Sequence, residues 1–121
     1  MKKVGKAYGF FDCKASKKDI EAELPSIRNM VRTPSRLELS LIEGVENLMG
    51  DLDSTPIIRE ARDSGMKYVF EATYPDATNE KTADEVAAIL NQAYQSPLYQ
   101  KSEPFSGGIV YKEGNRYIFR D

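Results

Sequence analysis

The sequence contains no histidine and a single cysteine, and these shortages exclude several kinds of chemistry. Without histidine, the chain cannot build a Ser-His-Asp or Cys-His catalytic site or use an imidazole to transfer protons near neutral pH. One cysteine cannot form an intramolecular disulfide, and it leaves the usual zinc sites short of ligands. Any catalysis would have to rely on carboxylates, lysine, tyrosine, serine or Cys13. We therefore expect no metal site and no cofactor, and we favour a protein that is not an enzyme.

Long apolar runs and a strong excess of one charge are also missing. No stretch approaches the roughly 18 apolar residues of a membrane span, and no small-residue cleavage site follows the first lysines, which argues against a signal peptide. The 17 basic and 19 acidic side chains leave a net charge of −2. This balance exerts no general attraction on nucleic acid or anionic membranes. Because a lone cysteine is typical of a reducing compartment, we expect one cytoplasmic domain over residues 1–121, not associated with a membrane.

The hydrophobic pattern predicts an α+β domain. Segments with alternating, β-branched or aromatic residues are predicted as strands: Val4–Asp12, 66–74, and a hairpin turning at Gly114–Asn115. Segments with apolar residues every three or four positions are predicted as helices: Lys17–Arg32, Leu37–Met49, 56–64, and one capped by Thr82. The order is then β-α-α-α-β-α-β-β. We expect a four-stranded mixed or antiparallel sheet packed against about four helices.

The segment from Leu37 to Met49 is compatible with two structures. Leu37, Leu39 and Leu41 alternate as in a strand. On a helical wheel, however, every apolar residue of the segment except Leu39 lies on one side. We predict a helix, and we keep open the alternative that the segment begins with a strand. In that alternative the order becomes β-α-β-α-β-α-β-β, which favours a parallel β-α-β unit.

Cys13 lies between the first strand and the predicted helix cap at Ser16. A thiol near a helix amino terminus and several lysines has a lowered pKa, which is the environment of a reactive thiolate. The chain offers no second cysteine and no histidine base, and cysteine is among the most frequently buried residues. We predict that Cys13 is an inert, buried side chain, with a reactive thiol as the alternative.

Asp51 and Asp53 stand two residues apart, followed by Thr55. This spacing resembles the first motif of the haloacid dehalogenase-type phosphatases, and the resemblance implies an aspartate nucleophile with a bound Mg²⁺. In that family a buried strand precedes the motif and a further acidic motif follows later in the chain. Here a predicted helix precedes it and the later motif is missing. We therefore predict a loop in which the two aspartates favour the helix dipole and Thr55 caps the next helix.

Two groups of residues are candidates for binding. The mixed face of the predicted sheet is a candidate ligand or partner surface: Val69, Ile118, Arg116, Arg120 and Lys67. The uneven positive charge near the amino terminus is a candidate basic patch: Lys14, Lys17, Lys18, Arg28 and Arg32. The opposite, aromatic face, with Tyr68, Phe70, Tyr117 and Phe119, is expected to pack under the helices.

The favoured function is a protein-interaction or accessory domain without catalytic activity. The chain has seven tyrosines, several on predicted strands, and tyrosine is enriched at protein interfaces. We expect a protein partner or self-association, with a homodimer formed through the mixed face. The alternative is a domain that binds a small molecule or single-stranded RNA through the lysine-rich start and an aromatic sheet. Nucleic acid is possible but not favoured, and an enzyme using Cys13 or the pair Asp51 and Asp53 ranks third.

Overall fold

The computed structural model describes residues 3–13, 15–44, 67–93, 95 and 106–120. These residues form five strands and two helices in the following order: β1 (Val4–Asp12), α1 (Lys17–Met30), β2 (Glu38–Glu43), β3 (Tyr68–Pro75), α2 (Asn79–Ala93), β4 (Ser106–Glu113) and β5 (Arg116–Arg120). All neighbouring strands pair antiparallel, in the spatial order β2-β3-β1-β4-β5. The α+β class is therefore confirmed.

The connections between these elements form two interlocked β-α-β units. Strands β1 and β2 run parallel to each other, α1 lies between them in sequence, and β3 lies between them in the sheet. In the same way β3 and β4 are parallel, are separated in sequence by α2, and have β1 between them. This split arrangement is that of the ferredoxin-like fold, and β5 extends the sheet by a hairpin.

The predicted helix at Leu37–Met49 is wrong in its first half. Residues Glu38–Glu43 form β2, which pairs with β3 so that Leu41 lies opposite Phe70. The strand buries the leucines that the helix was expected to bury, because Leu37 and Leu41 belong to the core and Leu39 packs against it. A helix and a strand would both bury these leucines, and the backbone hydrogen bonds to β3 favour the strand. Residues 45–49 lie outside the described residues.

The predicted sheet and number of helices are corrected accordingly. The sheet has five antiparallel strands rather than four, and the described residues contain two helices rather than about four. A directly paired parallel β-α-β unit, expected if the segment formed a strand, is also absent from the described sheet because β3 separates β1 from β2. The helix predicted at 56–64 lies outside the described residues.

Helix α1 begins where the sequence predicted. The hydroxyl oxygen of Ser16 accepts a hydrogen bond from the backbone N–H of Asp19 at 3.2 Å, as an N-cap does. The helix contains Pro25 and ends at Met30, two residues earlier than expected. Arg32 then takes a left-handed conformation, with φ of 54°, which turns the chain toward β2.

Helix α2 begins at Asn79, four residues before the start that a cap at Thr82 would give. The capping side chain is Thr78 rather than Thr82, because the oxygen Oγ1 of Thr78 accepts from the backbone N–H of Lys81 at 3.0 Å. Thr82 is fully buried instead, and its hydroxyl donates to the backbone oxygen of Thr78 at 2.8 Å. The sequence offers both Thr78 and Thr82 as N-caps of α2. Packing of Thr82 against the sheet leaves Thr78 as the cap.

Both helices pack on the sheet face that carries the aromatic residues of β3. On this face Phe11 of β1 lies opposite Tyr68, and its ring centre is 4.8 Å from that of Phe70. The helices contribute buried side chains to the same core: Ile20 and Ile27 from α1, and Val86, Ile89 and Leu90 from α2. The expectation that the aromatic face lies under the helices agrees with this core for Tyr68 and Phe70, whereas Tyr117 and Phe119 lie on the opposite face of the sheet.

The opposite face of the sheet is also buried at its centre. Phe10 and Val69 lie opposite each other on neighbouring strands, and neither has exposed surface. Val110 and Tyr8 on the same face are at most 4% exposed. The mixed face is therefore not an open surface at these positions.

Glycines at two positions of β1 allow α2 to approach the sheet, and alanine substitutions should separate their roles. A Cβ at Gly5 would overlap the backbone oxygen of Thr78 and the hydroxyl of Thr82. A Cβ at Gly9 would meet a methyl group of Val86 at 2.7 Å, and this side chain can shift. Urea unfolding should show that Gly5→Ala destabilises the protein by about 3 kcal/mol and Gly9→Ala by about 1 kcal/mol. Equal losses, or a larger loss for Gly9→Ala, would contradict the packing described.

Candidate functional site: a groove between helix α1 and strand β2

The residues predicted as a partner surface do not lie together. Val69 is fully buried in β3, whereas Ile118 lies on the opposite, helix-covered face and packs against the core. Arg116 and Arg120 share the face of Ile118 on β5. Lys67 precedes β3, which is three strand positions away from β5, or about 14 Å. These five residues are therefore distributed over two faces and opposite sides of the sheet.

Arg120 links β5 to α2. Its guanidinium donates to the carboxylate of Asp84 at 2.8 Å and lies over the ring of Tyr111, 4.9 Å from the ring centre. The hydrogen bond to Asp84 raises the pKa of Arg120, and a second hydrogen bond to the Tyr111 hydroxyl acts in the same direction. These contacts give Arg120 a structural role at the edge of the sheet.

The predicted basic patch is divided along α1. Lys17 and Lys18 are exposed in the first turn of the helix, whereas Arg28 lies near its other end, about 15 Å away. Arg32 is exposed beyond the helix, and Lys14 lies outside the described residues. The lysines and arginines therefore do not form one continuous surface.

The aromatic residues that a single-stranded nucleic acid would need for stacking are buried. Phe11, Tyr68 and Phe70 are at most 1% exposed, under the two helices. Stacking of bases requires ring faces that a ligand can reach. The aromatic face of this sheet does not offer them at these three positions.

Cys13 is buried at the end of β1, with 6% of its surface exposed. Burial raises the pKa of its thiol, and this effect exceeds the opposite effects of a hydrogen bond from the backbone of Ala15 and of the Lys67 ammonium. The neutral thiol is thus the stable form near neutral pH. Asp51 and Asp53 lie outside the described residues, and within the described residues no three metal-ligating side chains cluster.

A groove of about 720 Å³ lies between α1 and the edge strand β2, within the size range of ligand sites. One side is a face of α1 whose residues recur every three or four positions: Glu21, Leu24, Pro25, Arg28 and Asn29. The rest of the lining comes from the following turn and from β2: Thr33, Ser35, Leu39, Ser40 and Leu41. Helix α1 thus buries one stripe in the core and turns a second, mixed stripe toward β2.

The backbone of β2 has a free edge along this groove. The N–H of Gly44 donates to the oxygen of Lys67 at 2.9 Å, one register position beyond the strand pair. Because hydrogen-bonded and non-bonded pairs alternate in an antiparallel ladder, Ile42 and Ser40 bond to β3. Leu39 and Leu41 then direct their backbone N–H and C=O groups away from β3. In the described part of the chain these outward groups meet no partner.

Arg28 closes one end of the groove and has no acidic partner among the described residues. Its Nη2 donates to the backbone oxygen of Leu37 at 2.6 Å and, more weakly, to that of Pro34 at 3.4 Å. Its Nη1 and Nε atoms have no partner in the described ranges. A guanidinium is always charged at physiological pH, so this end of the groove carries a positive charge that no described acidic side chain compensates.

Thr33 is bonded to Arg28 through the backbone, and its side chain also has unused hydrogen-bonding capacity. Its backbone N–H donates to the oxygen of Arg28 at 2.9 Å, which fixes the two residues side by side. Its hydroxyl oxygen is buried and has no hydrogen-bond partner among the described residues. A buried hydroxyl without a partner is unfavourable, and Thr33 lines the same groove as Arg28.

Comparisons with known proteins do not assign this groove: no protein-family model matches the chain, and neither the curated proteins nor the solved structures include a match. Within the described ranges, neither helix has the length and apolar character needed to cross a membrane. The function is therefore inferred from the geometry of the groove.

Sequence reasoning found part of this groove and missed the rest. Arg28 was included in the basic patch, but Leu39 and Leu41 were assigned to a helix, which has no free backbone edge. The alternation of Leu37, Leu39 and Leu41 was the signal that could have identified an edge strand. The signal is weak because a short apolar alternation also fits a helix.

The burial of Cys13 leads to a prediction about its reactivity and stability. Folded protein at pH 7 should react with iodoacetamide far more slowly than unfolded protein, and Cys13→Ala should destabilise it by about 1 kcal/mol. Since the folded pKa lies above the ordinary value of 9.0, the stability from the neutral thiol is complete below pH 9 and is lost as the pH rises further. Cys13→Ala should remove this loss in urea titrations at several pH values. Rapid alkylation of the folded protein below pH 8 would show that the thiol is activated instead.

Proposed function

We propose that the protein is an interaction module that binds an extended segment of another protein as an additional strand on β2. The main support for this proposal is that the backbone N–H and C=O groups of Leu39 and Leu41 point away from β3, beside a groove of about 720 Å³. An edge strand presents unpaired N–H and C=O groups, and a peptide strand can satisfy them. Main-chain hydrogen bonds of this kind provide affinity in many peptide-binding domains.

The lining of the groove indicates which side chains such a peptide would carry. Successive side chains of a strand point to opposite faces. Those directed toward α1 would meet Leu24 and Pro25 together with Leu39 and Leu41 of β2. We therefore expect apolar side chains at alternate positions of the peptide and little selection at the others.

The groove accommodates a short segment. Glu21 and Arg28 are seven residues apart on α1, or about 10 Å. An extended chain covers this distance with about three residues. Contact over so few residues supports a weak, reversible complex rather than a permanent one.

The other functions expected from the sequence have less support from the described residues. The expected homodimer depended on Val69, which is buried, and RNA binding depended on aromatic rings that are also buried. Catalysis by Cys13 would need an accessible thiolate, whereas burial raises the pKa of that thiol. A partner segment bound in the groove uses backbone groups of β2 that have no partner in the described part of the chain.

The proposal can be tested with an equimolar library of random acetylated tetrapeptides, half with free carboxylates and half as C-terminal amides. The library would be passed over immobilised protein, and the retained peptides would be identified by mass spectrometry. We expect a subset with alternating apolar residues to be retained. Synthetic copies with N-methylated amides should bind at least 10-fold more weakly, because N-methylation removes the donor that pairs with a strand edge.

A matched pair of variants tests the same point from the protein side. Leu39→Pro removes the outward N–H of β2 without removing a hydrogen bond to β3, and it should weaken peptide binding at least 10-fold. Leu39→Ala keeps that N–H and should weaken binding less. Thermal unfolding monitors whether each variant is folded. If no tetrapeptide is retained, or if N-methylated copies bind equally well, strand addition to β2 is excluded.

A further inference from the structure

We propose that the bound segment is the carboxyl-terminal tail of a partner protein, lying antiparallel to β2 with its terminal carboxylate on Arg28. This inference rests on the proposed strand addition and specifies its ligand. Three features support it: the opposite charges at the two ends of the groove, the Arg28 donors that have no partner among the described residues, and the antiparallel direction of a strand added to β2.

The two ends of the groove carry opposite charges. Arg28 lies at the start of β2, because its Nη2 donates to the backbone oxygen of Leu37, the residue that precedes the strand. Glu21 lies two helical turns earlier on the same face of α1 and also lines the groove. Since α1 runs opposite to the parallel strands that it connects, Glu21 is displaced toward the end of β2.

This charge pattern selects one direction for the added strand. A segment antiparallel to β2, as β3 is on the other side, ends beside the start of β2 and so places its carboxylate near Arg28. A segment parallel to β2 would place the carboxylate toward Glu21, where two negative charges repel each other. The antiparallel direction is therefore favoured by the charges as well as by the pattern of the sheet.

The Arg28 end of the groove offers hydrogen-bond donors that suit a carboxylate. The hydrogen bond to Leu37 fixes the guanidinium, while Nη1 and Nε remain available in the described structure. Thr33 and Ser35, in the turn between α1 and β2, line the same end of the groove, and the hydroxyl oxygen of Thr33 is buried without a partner among the described residues. A carboxylate has two oxygens that only accept hydrogen bonds, and arginine can bind both at once.

A C-terminal amide fits the same donors poorly. Its oxygen accepts hydrogen bonds, but its NH₂ group donates them and would face the guanidinium and the hydroxyls. It also carries no charge to compensate Arg28. The groove should therefore discriminate between the free acid and the amide of one peptide sequence.

The test compares free-acid and amide tetrapeptides of the library described above on four forms of the protein. Wild-type protein should retain free acids at least 10-fold more than amides of the same sequences. Arg28→Gln should reduce this ratio to near one. Arg36→Gln, at an exposed arginine paired with Asp76 outside the groove, should keep the preference. Glu21→Gln removes the repulsion at the other end of the groove and should reduce the preference less than Arg28→Gln does.

Thr33→Val provides a second variant in case Arg28→Gln fails to fold. It replaces a hydroxyl that has no partner with a methyl group of similar shape, so it should leave the melting temperature unchanged or higher. It should nevertheless lower the preference for free acids several-fold, because one donor to the carboxylate is lost.

The outcomes separate this inference from the proposed function. Retention of acids and amides to equal extents, with binding still abolished by N-methylation, would overturn carboxylate recognition and leave strand addition standing. Retention of neither form would overturn both. A preference for acids that persists in folded Arg28→Gln would place the carboxylate elsewhere and contradict the assignment to Arg28.

Discussion

The antiparallel pairing of β2 with β3 is the constraint on which the rest of the structure depends. It makes β2 the edge of the sheet and buries Leu37 and Leu41 under the helices. It also determines that Leu39 and Leu41, rather than Ser40 and Ile42, direct their backbone groups outward. A shift of one residue in this register would exchange the two sets and expose the leucine side chains. The same pairing that completes the core therefore creates the free edge to which we assign the function.

Arg28 connects this edge to helix α1. By donating to the oxygen of Leu37, it satisfies one outward carbonyl group just before β2 and holds the end of the helix beside the strand. The bond occupies Nη2 and leaves Nη1 and Nε without a partner among the described residues. A guanidinium that has unused donors and no acidic partner among the described residues can bind an anionic ligand. A positioning role in the free protein and carboxylate binding in the complex are therefore compatible for this residue.

Local patterns in the sequence predicted much of the fold. The bounds of β1, the cap at Ser16 and the turn at Gly114–Asn115 follow from residue types within a few positions, and they agree with the structure. The strand β2 and the capping role of Thr78 were missed because long-range packing decides them: pairing with β3 in the first case, burial of Thr82 in the second. The groove was missed for the same reason, since Arg28 and Leu39 are brought together only by the β1-α1-β2 crossover. Val69 and Ile118 were wrongly predicted to share a face of the sheet. The face of each residue depends on the register that relates β3 to β5 through β1 and β4, and neither strand alone reveals that register.

Amide hydrogen exchange of the free protein, followed residue by residue by NMR, tests the central claim most directly. The N–H groups of Ser40 and Ile42 should exchange slowly because they bond to β3, whereas those of Leu39 and Leu41 should exchange rapidly because they face the groove. After addition of a retained tetrapeptide, Leu39 and Leu41 should become protected while Ser40 and Ile42 change little. Slow exchange of Leu39 and Leu41 in the free protein, equal to that of Ser40 and Ile42, would contradict the account, because the edge of β2 would already be occupied.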